Sequence, residues 1–255
     1  MRVDALLLDL DGTLYVGETP LPGAVAAISG LVEAGVPRRY LTNTTRFSRR
    51  MLAERLRAMG FPIALEEIFN AATAARDWLT TQGISRVSLY LPEPAMEDFA
   101  EFEIVTQHPD AIVVGDLAGA WTYDRMNQAF RQLLDGARLV ALQKNRHWKT
   151  PEGLVLDAGA FVAALEYGAD TEAVVTGKPS AAFFAMAARS LGTEAGRIAV
   201  VGDDIETDVA GAQAAGMRGA LVRTGKFREE VLLRGEIRPD WVVDSLGELF
   251  DHLST

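Results

Sequence analysis

The chain has 255 residues, 49% of them hydrophobic, and carries 35 acidic against 25 basic side chains for a formal net charge of -10. That length suits one large α/β domain or a core with a second module, and an acidic balance without any basic block argues against nucleic acid or an anionic membrane as partner. With no cysteine, disulfides, thiolate metal sites and cysteine nucleophiles are excluded, which suits a cytoplasmic protein.

The first apolar run, residues 3–8, reads as a parallel strand buried on both faces. Asp9 and Asp11 break it, and no run of 18 apolar residues follows, so neither a signal peptide nor a membrane span is expected. Pro22 and Gly23 precede a helix that runs to about Glu33 and ends at Gly35. A strand leads to Thr42, although Arg38 and Arg39 interrupt its apolar character, and residues 48–59 form an amphipathic helix closed by Gly60. A strand over 68–71 and a helix over 73–80 complete a βαβ pattern. The texture then changes. Between 81 and 172, strands are expected at 87–91, 111–114 and 139–142, with helices at 124–134 and 158–167. From 173 the first pattern resumes: a strand at 174–176, a helix capped by Ser180 and ended by Gly192, a strand at 198–201, and a helix over 208–215 ended by Gly216. The expected architecture is a parallel α/β core formed by residues 1–80 and 173–255, with an α/β domain inserted over 81–172.

Four polar clusters each follow an apolar run of the core: Asp9-Leu10-Asp11-Gly12-Thr13, Thr42-Asn43, Gly177-Lys178-Pro179 and Gly202-Asp203-Asp204-Ile205-Glu206-Thr207-Asp208. In an open parallel sheet, ligands bind beyond the carboxyl ends of the strands, so clusters far apart in sequence meet there. The set suits phosphoryl transfer. A phosphate ester repels an attacking carboxylate, and a divalent cation with hard oxygen ligands mediates; Asp9 and Asp203 can supply two of those ligands, and magnesium fits best. Two like charges about 4 Å apart repel by about 4 kcal/mol at an effective dielectric of about 20, so converging carboxylates themselves call for a cation. One carboxylate must attack phosphorus while a second protonates the leaving oxygen and later activates water, roles that suit Asp9 and Asp11. Lys178 would offset charge on the transferring group, and the Thr42 hydroxyl and Asn43 amide would hold its oxygens.

Each cluster also has a plainer meaning. Asp11-Gly12 is an ordinary turn dipeptide, and a calcium-binding EF-hand loop is excluded because the glycine comes two positions early and the bidentate glutamate is missing. Gly177-Lys178-Pro179-Ser180 resembles the end of a P-loop, but Glu172 stands where that loop needs glycine and Pro179 splits the Lys-Ser pair. Thr42-Asn43 equally suits a cap on the helix that follows. Lys178 alone would be a solvated lysine, and residues 203–208 alone a solvated acidic loop; their joint occurrence favours a site. In the insertion, Asn145-Arg146-His147-Trp148 reads as a loop after the strand at 139–142. It either offers Arg146 and His147 to a substrate group or is a polar surface loop with Trp148 packed beneath. His108 and His252 have no acidic or histidine partner at metal spacing and are given no chemistry.

In this order and spacing the four motifs resemble the haloacid dehalogenase (HAD) superfamily of phosphohydrolases, over the whole chain. The long insertion between the second and third motifs resembles the larger α/β cap of the NagD-like branch. Within it, Thr42-Asn43-Thr44-Thr45, Asn127-Gln128-Ala129-Phe130 and Gly202-Asp203-Asp204-Ile205 are most similar to the subgroup containing phospholysine phosphohistidine inorganic pyrophosphate phosphatase. The resemblance implies a HAD-like Rossmannoid sheet with an inserted cap, and a magnesium-dependent phosphatase acting on a small phosphate ester, phosphoramidate or pyrophosphate through an aspartyl phosphate. It implies Asp9 as nucleophile and Asp11 as acid/base. It also implies metal binding by the Asp9 and Asp203 carboxylates and the Asp11 backbone carbonyl, with Asp204 and Asp208 supporting those ligands from behind. It allows a homodimer. Some members of the subgroup carry serine at the second acidic position of the first motif; this chain keeps Asp11, which favours real hydrolysis. Two alternatives remain open. A phosphotransferase or mutase would pass the phosphoryl group to an alcohol on the same core, whereas a non-catalytic phosphorylation-dependent receiver would be about half as long and would need no cap.

Overall fold

The structure, a computed structural model, describes residues 3–150 and 153–253, with side chains described for all of these except 148–150 and 251–253. The chain forms two compact units, one of Met1–Thr42, Arg50–Asn70 and Lys178–Thr255, the other of Asn43–Arg49 and Ala71–Gly177.

The first unit is built on a six-stranded sheet in the order Trp241–Val243, Arg218–Val222, Ile198–Gly202, Ala5–Asp9, Arg38–Thr42, Ile68–Asn70. Every neighbouring pair is parallel. All five residues of Ala5–Asp9 and all five of Ile198–Gly202 are buried, which is why these strands read as continuous apolar runs. Leu6 and Leu8 pack with Ile28, Leu31, Leu52 and Leu56 from helices Ala24–Glu33 and Arg49–Ala58. Phe69 meets Phe183 of helix Ala181–Leu191 at a ring-centroid distance of 5.3 Å. Each such buried aliphatic or aromatic side chain contributes about 1.5–3 kcal/mol relative to exposure. The chain leaves Ala5–Asp9 toward one edge of the sheet and returns on the other side, so this central strand lies at a topological switch point.

The second unit repeats the construction on a smaller scale. Its parallel sheet runs Val174–Val175, Arg138–Ala141, Ala111–Val114, Arg86–Tyr90, Glu103–Ile104. Helix Ala71–Thr81 covers one face through Ala71, Ala72, Ala75 and Leu79, against Val87, Phe99, Val113 and Val140. Helices Tyr123–Leu134 and Ala158–Ala169 cover the other through Ala129, Leu133, Val162 and Leu165. A two-stranded antiparallel hairpin pairs His147–Thr150 with Gly153–Leu156. Among the described residues no helix is long and apolar enough to cross a membrane.

Several expectations change. The expected core limits at 80 and 173 differ from the observed division, because residues 71–80 and 173–177 group with the insertion, as do residues 43–49. The helix Ala71–Thr81 buries its apolar face in the insertion's cluster, and Val174 and Val175 pair with Val140 and Ala141. The strand before Gly177-Lys178 therefore belongs to the second sheet, not to the core sheet. Residues 145–148 are not simply a loop: His147 and Trp148 begin a strand that pairs with Leu156 and Val155. Trp148 itself lies outside the residues with described side chains, as does His252. Ser180 occupies the N-cap position of Ala181–Leu191 but makes no side-chain cap bond.

Candidate active site

The sheet register of the first unit explains how its acidic residues converge. Leu8 lies opposite Val201, and Asp9 lies opposite Leu41, so Asp9, Thr42 and Asp203 all fall at or just past the carboxyl ends of three adjacent strands. A wide π-type turn over Ile205–Ala210 then folds Asp208 back beside its own strand end. Asp9, Asp203 and Asp208 are all buried, and one carboxylate oxygen from each lies within 4.8 Å of the others.

The cluster is held by a dense set of bonds. The buried Lys178 ammonium donates to Asp9 Oδ1, and to Asp208 Oδ1 at 2.7 Å. The Thr13 hydroxyl donates to Asp9 Oδ2 at 3.2 Å. Asp208 Oδ2 accepts the Asp204 backbone N–H at 3.2 Å, and Asp204 Oδ1 accepts from Glu206 and Thr207, both at 3.0 Å. Asp203 Oδ2 accepts the Lys226 backbone N–H at 2.6 Å. This last bond needs a loop pressed against the carboxylate. Gly12 and Gly225, with φ of +85° and +53°, supply it: a Cβ on either would overlap the Asp203 carboxylate. The Thr224 hydroxyl joins the two loops by donating to the Gly12 carbonyl at 2.6 Å.

Electrostatics follow from this packing. Burial first, and then the charge of Asp9, push the Asp203 carboxyl up to about 7 against the opposing Lys226 backbone N–H. Burial pushes Asp208 up to about 6, with Lys178 pulling the other way. Burial alone would discharge Lys178, but Asp208 and Asp9 outweigh it and hold the ammonium firmly protonated. Asp11 lies at the exposed edge of the site, yet desolvation of its carboxyl and the neighbouring Asp9 raise it above the ordinary carboxylate range.

Three buried carboxylates with oxygens this close, two of them pushed toward neutrality chiefly by burial, form a hard-oxygen donor set that fits a divalent cation. Both oxygens of Asp208 are engaged, by Lys178 and by the Asp204 backbone, as are both of Asp9, by Lys178 and Thr13, while Asp203 accepts the Lys226 N–H through Oδ2.

The remaining expected residues divide between the units. Asp9, Asp11, Thr42, Lys178, Asp203, Asp204 and Asp208 belong to the first unit, whereas Asn43 belongs to the second with Asn145, Arg146 and His147. Thr42 is buried at the end of its strand. The Asn43 side-chain oxygen Oδ1 lies 2.7 Å from where a Cβ on Gly177 would stand, so Asn43 and Gly177 are close neighbours. Neither Thr42 nor Asn43 caps a helix, since the following helix begins at Arg49, whose N–H donates to the Asp98 carboxylate. Arg146 and His147 are exposed, and Asn145 is fixed by a 2.5 Å bond from its N–H to the Gln143 side chain. Thr13, Thr224, Gly225 and Lys226 were not anticipated. Thr13 is part of the first motif, and Thr224-Gly225-Lys226 follows the buried strand Arg218–Val222 as the other motifs follow theirs, which was the available signal.

Comparison with known proteins gives a consistent picture. Residues 6–105 match the family model described as haloacid dehalogenase-like hydrolase, and residues 175–249 match one described as HAD-hydrolase-like. The chain is 43% identical to haloacid dehalogenase-like hydrolase domain-containing protein 2 of Bos taurus, over 98% of this chain and 95% of the relative. It is 37% identical to phospholysine phosphohistidine inorganic pyrophosphate phosphatase of Homo sapiens, over 98% and 94%. The structure of p-nitrophenyl phosphatase from Archaeoglobus fulgidus superimposes with a TM-score of 0.92 at 32% identity, covering 99% of this chain and all of that one.

Proposed function

The chain belongs to the haloacid dehalogenase-like hydrolases, in their NagD-like branch, and is a phosphatase; on that premise we propose that it hydrolyses small phosphate esters, phosphoramidates or pyrophosphate with magnesium, through an aspartyl phosphate on Asp9. The observation that carries this is the buried cluster of Asp9, Asp203 and Asp208 with Lys178 bridging Asp9 and Asp208.

In the first half-reaction an Asp9 carboxylate oxygen attacks phosphorus, and the bond from phosphorus to the leaving oxygen or nitrogen breaks. Asp11, whose carboxyl is raised, donates its proton to that leaving atom. In the second, the Asp11 carboxylate takes a proton from water, the water oxygen attacks phosphorus, and the bond to Asp9 breaks, releasing orthophosphate and restoring both carboxyls. Thr13 fixes Asp9 by its hydroxyl, and Lys178, itself aligned by Asp208, offsets charge on the phosphoryl oxygens. Thr42 and Asn43 hold those oxygens in line. The Asp9 and Asp203 carboxylates and the Asp11 backbone carbonyl would hold magnesium, which when bound supplies neutralisation of the charge shared by carboxylates and phosphate. Asp204 shapes the turn that presents Asp208. The second unit acts as a cap whose residues, among them Asn145, Arg146 and His147, decide which ester is accepted.

Assaying p-nitrophenyl phosphate, a phosphoramidate and pyrophosphate with magnesium, then with excess chelator, tests this reading. Turnover of at least one substrate that disappears on chelation and returns with magnesium is expected. Full activity in chelator would overturn the metal assignment, and an absence of turnover on all three would overturn the substrate class.

A further inference from the structure

The segment Asn43–Arg49 groups with the second unit, and a small set of contacts accounts for it. Asp116, buried after the strand Ala111–Val114, uses three of its polar atoms at once. Its backbone N–H donates to the Thr45 hydroxyl at 2.9 Å, its Oδ2 accepts Arg46 Nε at 2.6 Å, and its Oδ1 accepts the Ala118 N–H at 3.0 Å. The preceding residue is pressed against the same segment: a Cβ on Gly115 would lie 3.0 Å from Thr45 Oγ1 and 2.6 Å from Leu91 Cδ2. Farther along, the Ser48 hydroxyl donates to Glu97 at 2.9 Å, and the Arg49 N–H lies 3.0 and 3.1 Å from the two Asp98 oxygens.

Resting on the phosphatase reading above, we propose that Asp116 is a positioning residue for Asn43. By gripping Thr45 and Arg46 it fixes the backbone path of the segment that Asn43 opens, so phosphate binding depends on the second unit. The chemistry favours this role. A charge-assisted bond at 2.6 Å between buried or half-buried partners is strong and directional, and a residue two or three positions from Asn43 transmits a displacement to it through the backbone with little slack. A small misplacement of a group that orients the phosphoryl oxygens weakens substrate binding. Asn43 would bind the phosphoryl oxygens in the ground state and the transition state alike, so its displacement removes uniform binding, which is read in KM and in phosphate inhibition rather than in kcat.

The test uses the full chain with magnesium, p-nitrophenyl phosphate as substrate and inorganic phosphate as competing ligand. Thr45→Val, which keeps the shape of the side chain but removes the oxygen that accepts from Asp116, and Asp116→Asn, which weakens the bond to Arg46, are expected to raise KM and the inhibition constant of phosphate by about tenfold each. kcat should stay within about twofold. Thr45→Ser, which restores the acceptor, is expected to return both constants to within about twofold of wild type. If Asp116→Asn does not fold, the Thr45 pair decides alone. Wild-type KM and phosphate inhibition in Thr45→Val, or an equal loss in Thr45→Val and Thr45→Ser, would overturn the proposal while leaving the phosphatase reading intact. A wild-type protein without turnover would instead overturn the reading on which it rests.

Discussion

Two parallel sheets of the same construction end very differently in this chain. Beyond the strands of the first unit lie Asp9, Asp203 and Asp208, three buried acids with one buried lysine among them. Beyond those of the second lie Asp116, Gln143 and Thr176, equally buried but bonded to local backbone, to Arg46 and to Asp157. In the second unit the polar groups satisfy one another and so hold the fold. In the first, three carboxylates share one buried ammonium, and each pair of like charges about 4 Å apart repels by about 4 kcal/mol at an effective dielectric of about 20. The architecture is therefore neutral as to function, and the unbalanced charge identifies the reactive end.

Substitution at Asp9 puts this contrast under the greatest strain. Asp9→Asn keeps the shape and removes the nucleophile, and we expect turnover to fall by roughly three orders of magnitude or more with the circular dichroism spectrum unchanged. Retention of near-wild-type rate would break the comparison at once. Lys178→Ala should come next, lowering kcat by on the order of 100-fold for every substrate, since it removes one preorganised charge contact. Kinetic constants on three chemically distinct esters check that the loss is uniform. The second unit should respond in the opposite manner. Arg146→Ala or His147→Ala, on exposed positions at the start of the hairpin, should shift KM by a few-fold, about 1 kcal/mol or less of binding, and reorder substrates while sparing kcat on p-nitrophenyl phosphate. A uniform kcat loss in these variants would show that the hairpin is structural and that substrate choice lies elsewhere.

The smallest effect sharpens the electrostatic side of the contrast. Asp203 and Asp208 titrate higher in the folded protein than their ordinary 3.8, at about 7 and about 6. The folded state then binds more protons than the unfolded state between about pH 4 and about pH 7. The stabilisation that goes with their protonation is complete below about pH 4 and is lost as pH rises through the folded values. In chelator, Tm should fall by a few degrees over that range, and magnesium should restore it most at the upper end, where both acids are ionised. Differential scanning calorimetry reads both effects; a chelated protein whose Tm rises with pH would contradict the raised carboxyls.

Much of this was legible in the sequence because buried parallel strands read as apolar runs, and a charged residue directly after one has few places to go. Asp9 and Asp203 stand out for that reason. The strand at Val174 and Val175 misled because a short valine pair carries no mark of which sheet it joins; its register with Val140 is a tertiary fact. The hairpin from His147 was hidden by its four-residue arms and by polar residues that read as a loop. The support from Lys226 to Asp203 was beyond reach for a different reason. It comes from a backbone N–H, which every residue except proline possesses, and its traces are Gly12 and Gly225, required where two loops and a carboxylate crowd together.

The most direct test of the central claim is to catch the covalent intermediate. The enzyme would be mixed with excess substrate and magnesium, quenched in acid within the first turnover, reduced with borohydride and digested for mass spectrometry. We expect homoserine at position 9, the product of reducing an aspartyl phosphate, in wild type, and none in Asp9→Asn or in a control quenched without substrate. Steady turnover with an unmodified Asp9 under these conditions, or modification of a different carboxylate, would contradict Asp9 as the nucleophile.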